Sequence, residues 1–376
     1  MKSPGFLDDP APQRKMSERR PNQEEDMSQD PIFGERFNIR RRDSRPALIK
    51  LSQENLVRFG AMAPNQSLPV VAQPALEGVD LAEWAGNCRD LIETKLMRHG
   101  AILFRNFDLD GAAALERFVQ RLCGELMEYR ERSSPRHEIG GRVYTSTDYP
   151  PDQVIFPHNE HSYSLKLPLK LFFLCVTPAA EGGETPIADT RRIYRRIAPE
   201  IRDRFFRKRY VYVRNFGDGF GVSWQTAFQT DDKAAVETYC YQNAIEFEWK
   251  AGDRLRTRQV RPAVVRHPRT GESVWFNHIT FFHISTLAPS VREALLGSYD
   301  EDDLPNNTYY GDGSPIEPEV VEQLHDAYLQ EVVRFRWQKQ DLLLLDNMLT
   351  AHARAPFLGP RTVLFAMSDL YVRDDI

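Results

Sequence analysis

From about residue 140 onward the chain is cut into short apolar runs, none longer than about six residues, separated by Gly, Pro, Asp and Asn. Arg142–Thr147, Lys170–Val176, Tyr210–Arg214, Ala263–Arg266, Val274–Phe276, Phe335–Gln338, Leu342–Leu345 and Val363–Met367 are the segments expected as strands. Runs of this length fit strands and not bundle helices. They also fall well short of the roughly 18 apolar residues of a membrane span. Many short strands with turn signals between them lead to a barrel or a jelly roll.

Helical periodicity is confined to a few places. Leu81–Leu96 repeats apolar residues at three and four, and His99-Gly100 ends it. Ala112–Met127 places Leu115, Phe118, Val119 and Leu122 on one face, with the buried strand Ala101–Phe104 between the two helices. Ile193–Arg207 and Pro318–Leu329 are expected as helical inserts, and no repeat of 20 to 50 residues is present.

Residues 1–45 differ from the rest. They alternate charges, carry prolines at positions 4, 10, 12, 21 and 31, and hold few aliphatics. Such a stretch cannot bury enough apolar surface to offset its ordering entropy, so it is expected as a disordered charged tail. Residues 46–376 form the expected catalytic domain. The formal net charge of -5 and a pI near 6.0 argue against a nucleic-acid footprint, which needs clustered Lys and Arg. No apolar signal segment opens the chain, and Cys88, Cys123, Cys175 and Cys240 form no CxxC pair. A reducing cytoplasm, without membrane association, is the expected compartment.

The candidate chemistry begins at His158-Asn-Glu160. On an extended strand, residues i and i+2 point to the same side, so an imidazole and a carboxylate could share one metal ion. Alone this is weak, since chance supplies about one His-x-acid match in a chain of this composition. Support comes from Asp341–His352, a hydrophobic strand running through a polar turn into a histidine. Two His and one carboxylate leave one face of an octahedral metal open, as in non-haem Fe(II) oxygenases. Gly359-Pro-Arg361 then offers a guanidinium fork suited to a carboxylate. Glu181-Gly-Gly-Glu-Thr-Pro186 is a tight turn followed by the hydroxyl of Thr185. Each of these two also has a plain reading, as a surface ion pair and as a turn.

Taken in order and spacing, these pieces resemble the Fe(II)- and 2-oxoglutarate-dependent dioxygenases of the taurine dioxygenase (TauD/TfdA) family. The motifs that carry the resemblance are His99–Arg105, Tyr144–Pro150, His158-Asn-Glu160, Gly182–Thr185, Val274–Asn277, Leu345-Asp-Asn347, His352-Ala-Arg354 and Gly359-Pro-Arg361. The similarity spans roughly residues 48 to 372. It looks closest to the branch of the syringomycin-biosynthesis aspartyl hydroxylase, with clavaminate synthase and γ-butyrobetaine hydroxylase further off. The resemblance implies a mainly β fold with flanking helices, a double-stranded β-helix (jelly roll) with helical inserts.

It also implies that His158, Glu160 and His352 bind Fe(II), and that Thr185 and Arg361 hold the distal carboxylate of 2-oxoglutarate. O2 is the co-substrate and ascorbate the activator. Arg354 is expected near the cofactor or a substrate carboxylate. Ser146, Thr147, Asn277 and Phe365 are the expected substrate-facing residues. Because Glu160 retains a carboxylate, a halogenase is disfavoured. Because Phe365 stands where taurine enzymes carry a second Arg, taurine is a poor substrate. The expected reaction hydroxylates an amino acid, free or tethered to a carrier protein, in antibiotic biosynthesis. Desaturation, cyclisation or epoxidation with the same cofactors stays open, as does homo-oligomerisation. Readings of another class are a cupin-like metal isomerase or hydrolase and a catalytically silent binding module. Among the other histidines, His161 and His278 are placed near the site and the rest are expected to be structural.

Overall fold

A computed structural model describes residues 52–374 except 65, 129–136, 147–148 and 218–221. The expected tail and Thr147 lie outside the described residues. The described residues all belong to one compact unit, Lys50–Ile376.

The run Leu342–Leu345 shows how the fold is built. It pairs antiparallel with Ala101–Phe104 on one side and with Leu171–Leu174 on the other. Successive strand residues point to opposite faces, so a continuous apolar run requires both faces to be covered. Leu342 and Leu344 face outward with Phe172 and Leu174, into a core completed by Trp84, Leu96, Leu115 and Phe118 from the N-terminal helices. Leu343 and Leu345 face inward with Leu171, Phe173, Val363, Phe365 and Met367. Burying one such side chain stabilises by about 1.5–3 kcal/mol, and both layers depend on it.

These strands belong to an eight-stranded sheet. Its spatial order is Val57–Ala61, Val70–Pro74, Ala101–Phe104, Leu342–Asp346, Lys166–Thr177, Thr362–Val372, Val143–Thr145 and Glu138–Gly140. A second, four-stranded sheet runs Val332–Val333, Ile187–Asp189, Thr350–Arg354 and Ile155–His158. Ile187 of this smaller sheet packs among the inward residues of the larger one, which gives the two-layered jelly roll. Between the two sheet segments lies an insert with its own sheet, Glu246–Lys250, Arg254–Arg261, Tyr210–Phe216 and Asn306–Tyr310.

Several boundaries differ from the sequence reading. The helix expected over Leu81–Leu96 is two helices, Leu81–Asn87 and Arg89–His99, broken at Cys88, where Gly86 and Asn87 weaken helical propensity. Its end at Gly100 stands as expected, with φ of 78°. Ala112–Met127 is found as Gly111–Cys123 and stops at Gly124. Ile193–Arg207 divides into Thr190–Arg196 and Pro199–Lys208, because Pro199 has no N–H to continue a helix and fits a first turn. Pro318–Leu329 is one helix with the bounds expected.

Phe335–Gln338 is not a strand. Phe335 and Trp337 still enter the inner core, but the segment's backbone is held by side chains. Arg105 Nη2 donates to the Arg336 carbonyl, and the Gln338 amide donates to Asp341. Arg105 also makes a two-pronged ion pair with Asp341, at 2.9 and 2.7 Å, and the Asp341 side chain is 1% exposed. Removing one partner of a buried pair leaves an uncompensated charge. Arg105→Met is therefore expected to destabilise the protein by about 3 kcal/mol, read as a lower urea midpoint.

Candidate metal centre

Thr350–Arg354 pairs antiparallel with Ile155–His158, and the register sets His352 directly opposite His158. Opposed residues in such a pair project to the same face. The two imidazole centroids are accordingly 4.4 Å apart. The His158 Nδ1 lies 2.9 Å from the Phe156 carbonyl. A carbonyl only accepts, so Nδ1 carries the proton and Nε2 keeps a lone pair for a metal.

Glu160 arrives differently from the sequence expectation. The strand ends at His158, and Glu160 lies in the turn beyond it, so strand alternation is not what aims its carboxylate. Oε2 nevertheless comes to 4.0 Å from His352 Nε2. One ligand atom from each of His158, Glu160 and His352 lies within 4.8 Å of the others, and Glu160 is 3% exposed. Among the described residues this is the one group of three His, Cys, Asp or Glu side chains that could hold a metal. A buried carboxylate is costly without a cation, and two nitrogens plus one oxygen suit Fe(II) with an open face. The donor set fits the ion.

A pocket adjoins the triad, lined by Ser146, Ile155, His158, Phe173, Thr185, His352, Ala353, Arg354 and Arg361. Arg361 stands just before the strand Thr362–Val372. Its Nε donates to the Gly183 carbonyl at 2.8 Å and its Nη1 to Ser146 Oγ at 3.2 Å. Gly182 and Gly183 both have positive φ, 65° and 71°, which glycine adopts without cost. A Cβ on Gly183 would sit 3.0 Å from Arg361 Cδ, so the turn's bareness is what lets the arginine lie against it. Burial pushes the Arg361 pKa down to about 10, and the charge of Arg354 adds to this. Arg361 is still a cation at neutral pH. Thr185 Oγ1 accepts from Trp337 Nε1 at 3.2 Å, which leaves its own proton for an anion in the pocket.

Arg354 borders the same pocket, yet it spends donors on backbone. Nη1 donates to the Tyr149 carbonyl at 2.8 Å, and Nη2 to those of Gln153 and Pro150. It ties the 149–153 segment to the pocket wall. Asn277 is buried, with its amide committed to the Ala263 carbonyl and the Ile279 N–H, and it does not line this pocket. Phe365 is fully buried, 5.1 Å from Phe173, whose ring is 5.0 Å from His352.

Beside the cluster lie His161 and His278, which the sequence places near the site, and Phe281, which it does not single out. Phe281 lies 4.6 Å from the His158 ring, on the short helix Ile279–Phe282. A four-residue helix leaves no periodic signal to find. His278 lies 5.8 Å from His158, contacts Ser162 through Nδ1, and is held well below the usual histidine range, mainly by burial. His161, at φ of 54°, sets Nε2 4.0 Å from Glu160 Oε1 and borders a cavity of about 660 Å³. Ser164, Lys166, Arg142 and Asn243 share that cavity.

Comparison with known proteins gives a consistent set of matches. The model of the family described as "Taurine catabolism dioxygenase TauD, TfdA family" matches residues 64–367. The dapdiamide synthesis protein DdaC of Enterobacter agglomerans is 42% identical over 278 residues, 74% of this chain and 84% of that protein. A clavaminate synthase-like protein of Arabidopsis thaliana is 30% identical over 315 residues, 81% of this chain and 91% of that one. Among solved structures, the PvcB protein from Pseudomonas aeruginosa superposes with a TM-score of 0.51 at 16% identity, covering 85% of this chain and 93% of that one. A taurine dioxygenase from Burkholderia xenovorans gives 0.51 at 17%, with the same coverages, and at such identities the likeness speaks for the fold.

Proposed function

Because the chain belongs to the taurine catabolism dioxygenase TauD/TfdA family, we propose that it uses Fe(II), held by His158, Glu160 and His352, to oxidise a C–H bond of an amino-acid-derived substrate at the expense of 2-oxoglutarate and O2. The observation that carries the reading is the juxtaposition of a buried two-His, one-carboxylate cluster with a pocket containing a cationic Arg361.

When bound, iron and 2-oxoglutarate supply the oxidising power: 2-oxoglutarate loses CO2 and ends as succinate while the substrate is oxidised. The chain's own residues bind and orient. His158 presents Nε2 because Phe156 fixes its tautomer. Arg361 and Thr185 receive the far carboxylate of the co-substrate, one by its guanidinium fork and one by its hydroxyl. Phe281 packs against the His158 ring and Phe173 against that of His352, which holds the two imidazoles in place. The cavity that His161 borders is polar and carries both charge signs, with Lys166 and Arg142 in the same lining as Glu125, Glu128 and Asp369. Among the described residues no helix is long and apolar enough to cross a membrane.

The name of DdaC ties that relative to dapdiamide synthesis, and this supports an amino-acid-derived substrate in secondary metabolism here, free or carrier-tethered. The test is succinate formation with Fe(II), 2-oxoglutarate and ascorbate across free amino acids and their carrier-protein thioesters. The expected result is stimulation by one of them, with a product that gains one oxygen or loses two hydrogens. No stimulation by any member of either set would overturn the substrate class. Tight zinc or manganese without 2-oxoglutarate consumption would favour an isomerase or hydrolase.

A further inference from the structure

The two histidines of the cluster are set by strand pairing, but Glu160 stands past the end of its strand. Its backbone is fixed instead by one side chain, 187 residues away in sequence. The Glu160 N–H donates to Asn347 Oδ1 at 2.9 Å, and Asn347 Nδ2 donates back to the Glu160 carbonyl at 2.8 Å. The second Nδ2 proton goes to the Pro168 carbonyl at 2.9 Å. Asn159 Nδ2 donates to the Asn347 carbonyl at 2.6 Å. Asn159 and Asn347 are both 0% exposed.

This arrangement uses both donors of the Asn347 amide and its oxygen. The partners fix which end is which, since a flipped amide would set N–H against N–H and oxygen against two carbonyls. Asn347 is itself held. Asp346 Oδ1 accepts from the Met348 and Leu349 amides at 2.9 Å each, and Oδ2 meets His267 Nε2 at 3.1 Å. Thr190 Oγ1 closes the same turn by donating to the Met348 carbonyl at 2.6 Å. The whole turn follows the strand Leu342–Asp346 directly, so these bonds tie it to the larger sheet.

We propose that Asn347 is the positioning residue for the carboxylate ligand: it holds the Glu160 backbone where strand pairing cannot reach, and so sets iron affinity without touching iron. The proposal rests on the reading of His158, Glu160 and His352 as ligands. Aspartate at 347 would keep the acceptor for the Glu160 N–H but lose both donated bonds and press an oxygen on two carbonyls. Leucine would lose all three.

The test is anaerobic titration of the metal-free full-length protein with Fe(II), and with Co(II) as a non-oxidising probe, for wild type, Asn347→Asp, Asn347→Leu and Thr190→Val. The last removes a buried bond from the same turn without touching Glu160. The expected result is affinity about 10- to 100-fold weaker in both Asn347 variants and within about twofold of wild type in Thr190→Val. The KM for 2-oxoglutarate at saturating iron should stay near wild type, because the Arg361 pocket is untouched. A folded Asn347→Asp with wild-type affinity, or a Thr190→Val loss as large as those of the Asn347 variants, overturns the proposal. Asn347→Leu serves if Asn347→Asp does not fold, judged by circular dichroism. A wild type that takes up no metal, or a His352→Ala variant that binds as tightly as wild type, overturns the ligand reading instead.

Discussion

His352→Ala is expected to lower 2-oxoglutarate turnover by about a thousandfold or more. His352 is one of three donors, it alone comes from the distal strand, and it lines the pocket with His158, so its loss leaves only two donors beside that pocket. Metal catalysis supplies several kcal/mol of barrier lowering, and about 4 kcal/mol corresponds to three decades in rate. The imidazole is also packed 5.0 Å from the Phe173 ring, so alanine leaves a small void. That void is expected to cost about 2 kcal/mol, which a domain with this much buried core survives. The measurement pairs succinate formation with circular dichroism and an iron titration. A folded variant with weakened iron binding and lost turnover is the expected outcome. Turnover within tenfold of wild type would remove His352 from the cluster, whereas partial rescue of an inactive variant by added imidazole would support it there.

The parts of this fold that were legible are those where burial leaves an apolar mark. Leu342–Leu345, Lys170–Val176 and Val363–Met367 sit in the middle of the large sheet, covered on both faces, and their continuous apolar runs show it. Arg254–Arg261 was missed for the converse reason. It alternates buried residues with half-buried or exposed ones as a strand should, but its inward side chains are Leu255, Thr257, Gln259 and Arg261. Arg261 is 1% exposed and spends its guanidinium on the carbonyls of Tyr163, Asn243, Ala244 and Val260. A strand whose buried face is polar has no hydrophobic period to find. Phe335–Gln338 misled in the opposite way, since its aromatics enter the core from a segment with no ladder.

The candidate site followed the same division. The residue types and their order pointed to His158, Glu160, His352, Thr185 and Arg361, and the fold brings these around one cluster and its pocket. The route to Glu160 was not legible, because it depends on an amide 187 positions away and not on local alternation. Nor was the fate of Arg354 or Asn277, since nothing in a sequence tells whether a polar side chain will meet a ligand or a backbone carbonyl.

Arg361→Met is expected to separate co-substrate binding from folding. Charge-assisted hydrogen bonds contribute about 1.5–3 kcal/mol each, so the KM for 2-oxoglutarate should rise about 10- to 100-fold, with kcat at saturation changed far less. Arg361→Lys keeps the charge without the fork and should fall between the two. Stability should move the other way. A cation whose folded pKa is depressed, here to about 10 against 12.5, is charged at a cost to the fold at neutral pH. Between those two values the unfolded chain holds the extra proton, so the penalty fades as pH rises through about 10. Methionine removes that penalty and loses the bonds to Gly183 and Ser146 in exchange. The metal-free variant should therefore melt no lower than wild type, while wild type alone is stabilised by added 2-oxoglutarate with a bound metal. The same linkage keeps wild-type affinity for 2-oxoglutarate flat through neutral pH and weakens it as pH rises past about 10, where Arg361 loses its proton. A variant that melts well below wild type yet keeps its KM would make Arg361 a strut of the Gly182-Gly183 turn and move the carboxylate anchor elsewhere in the pocket.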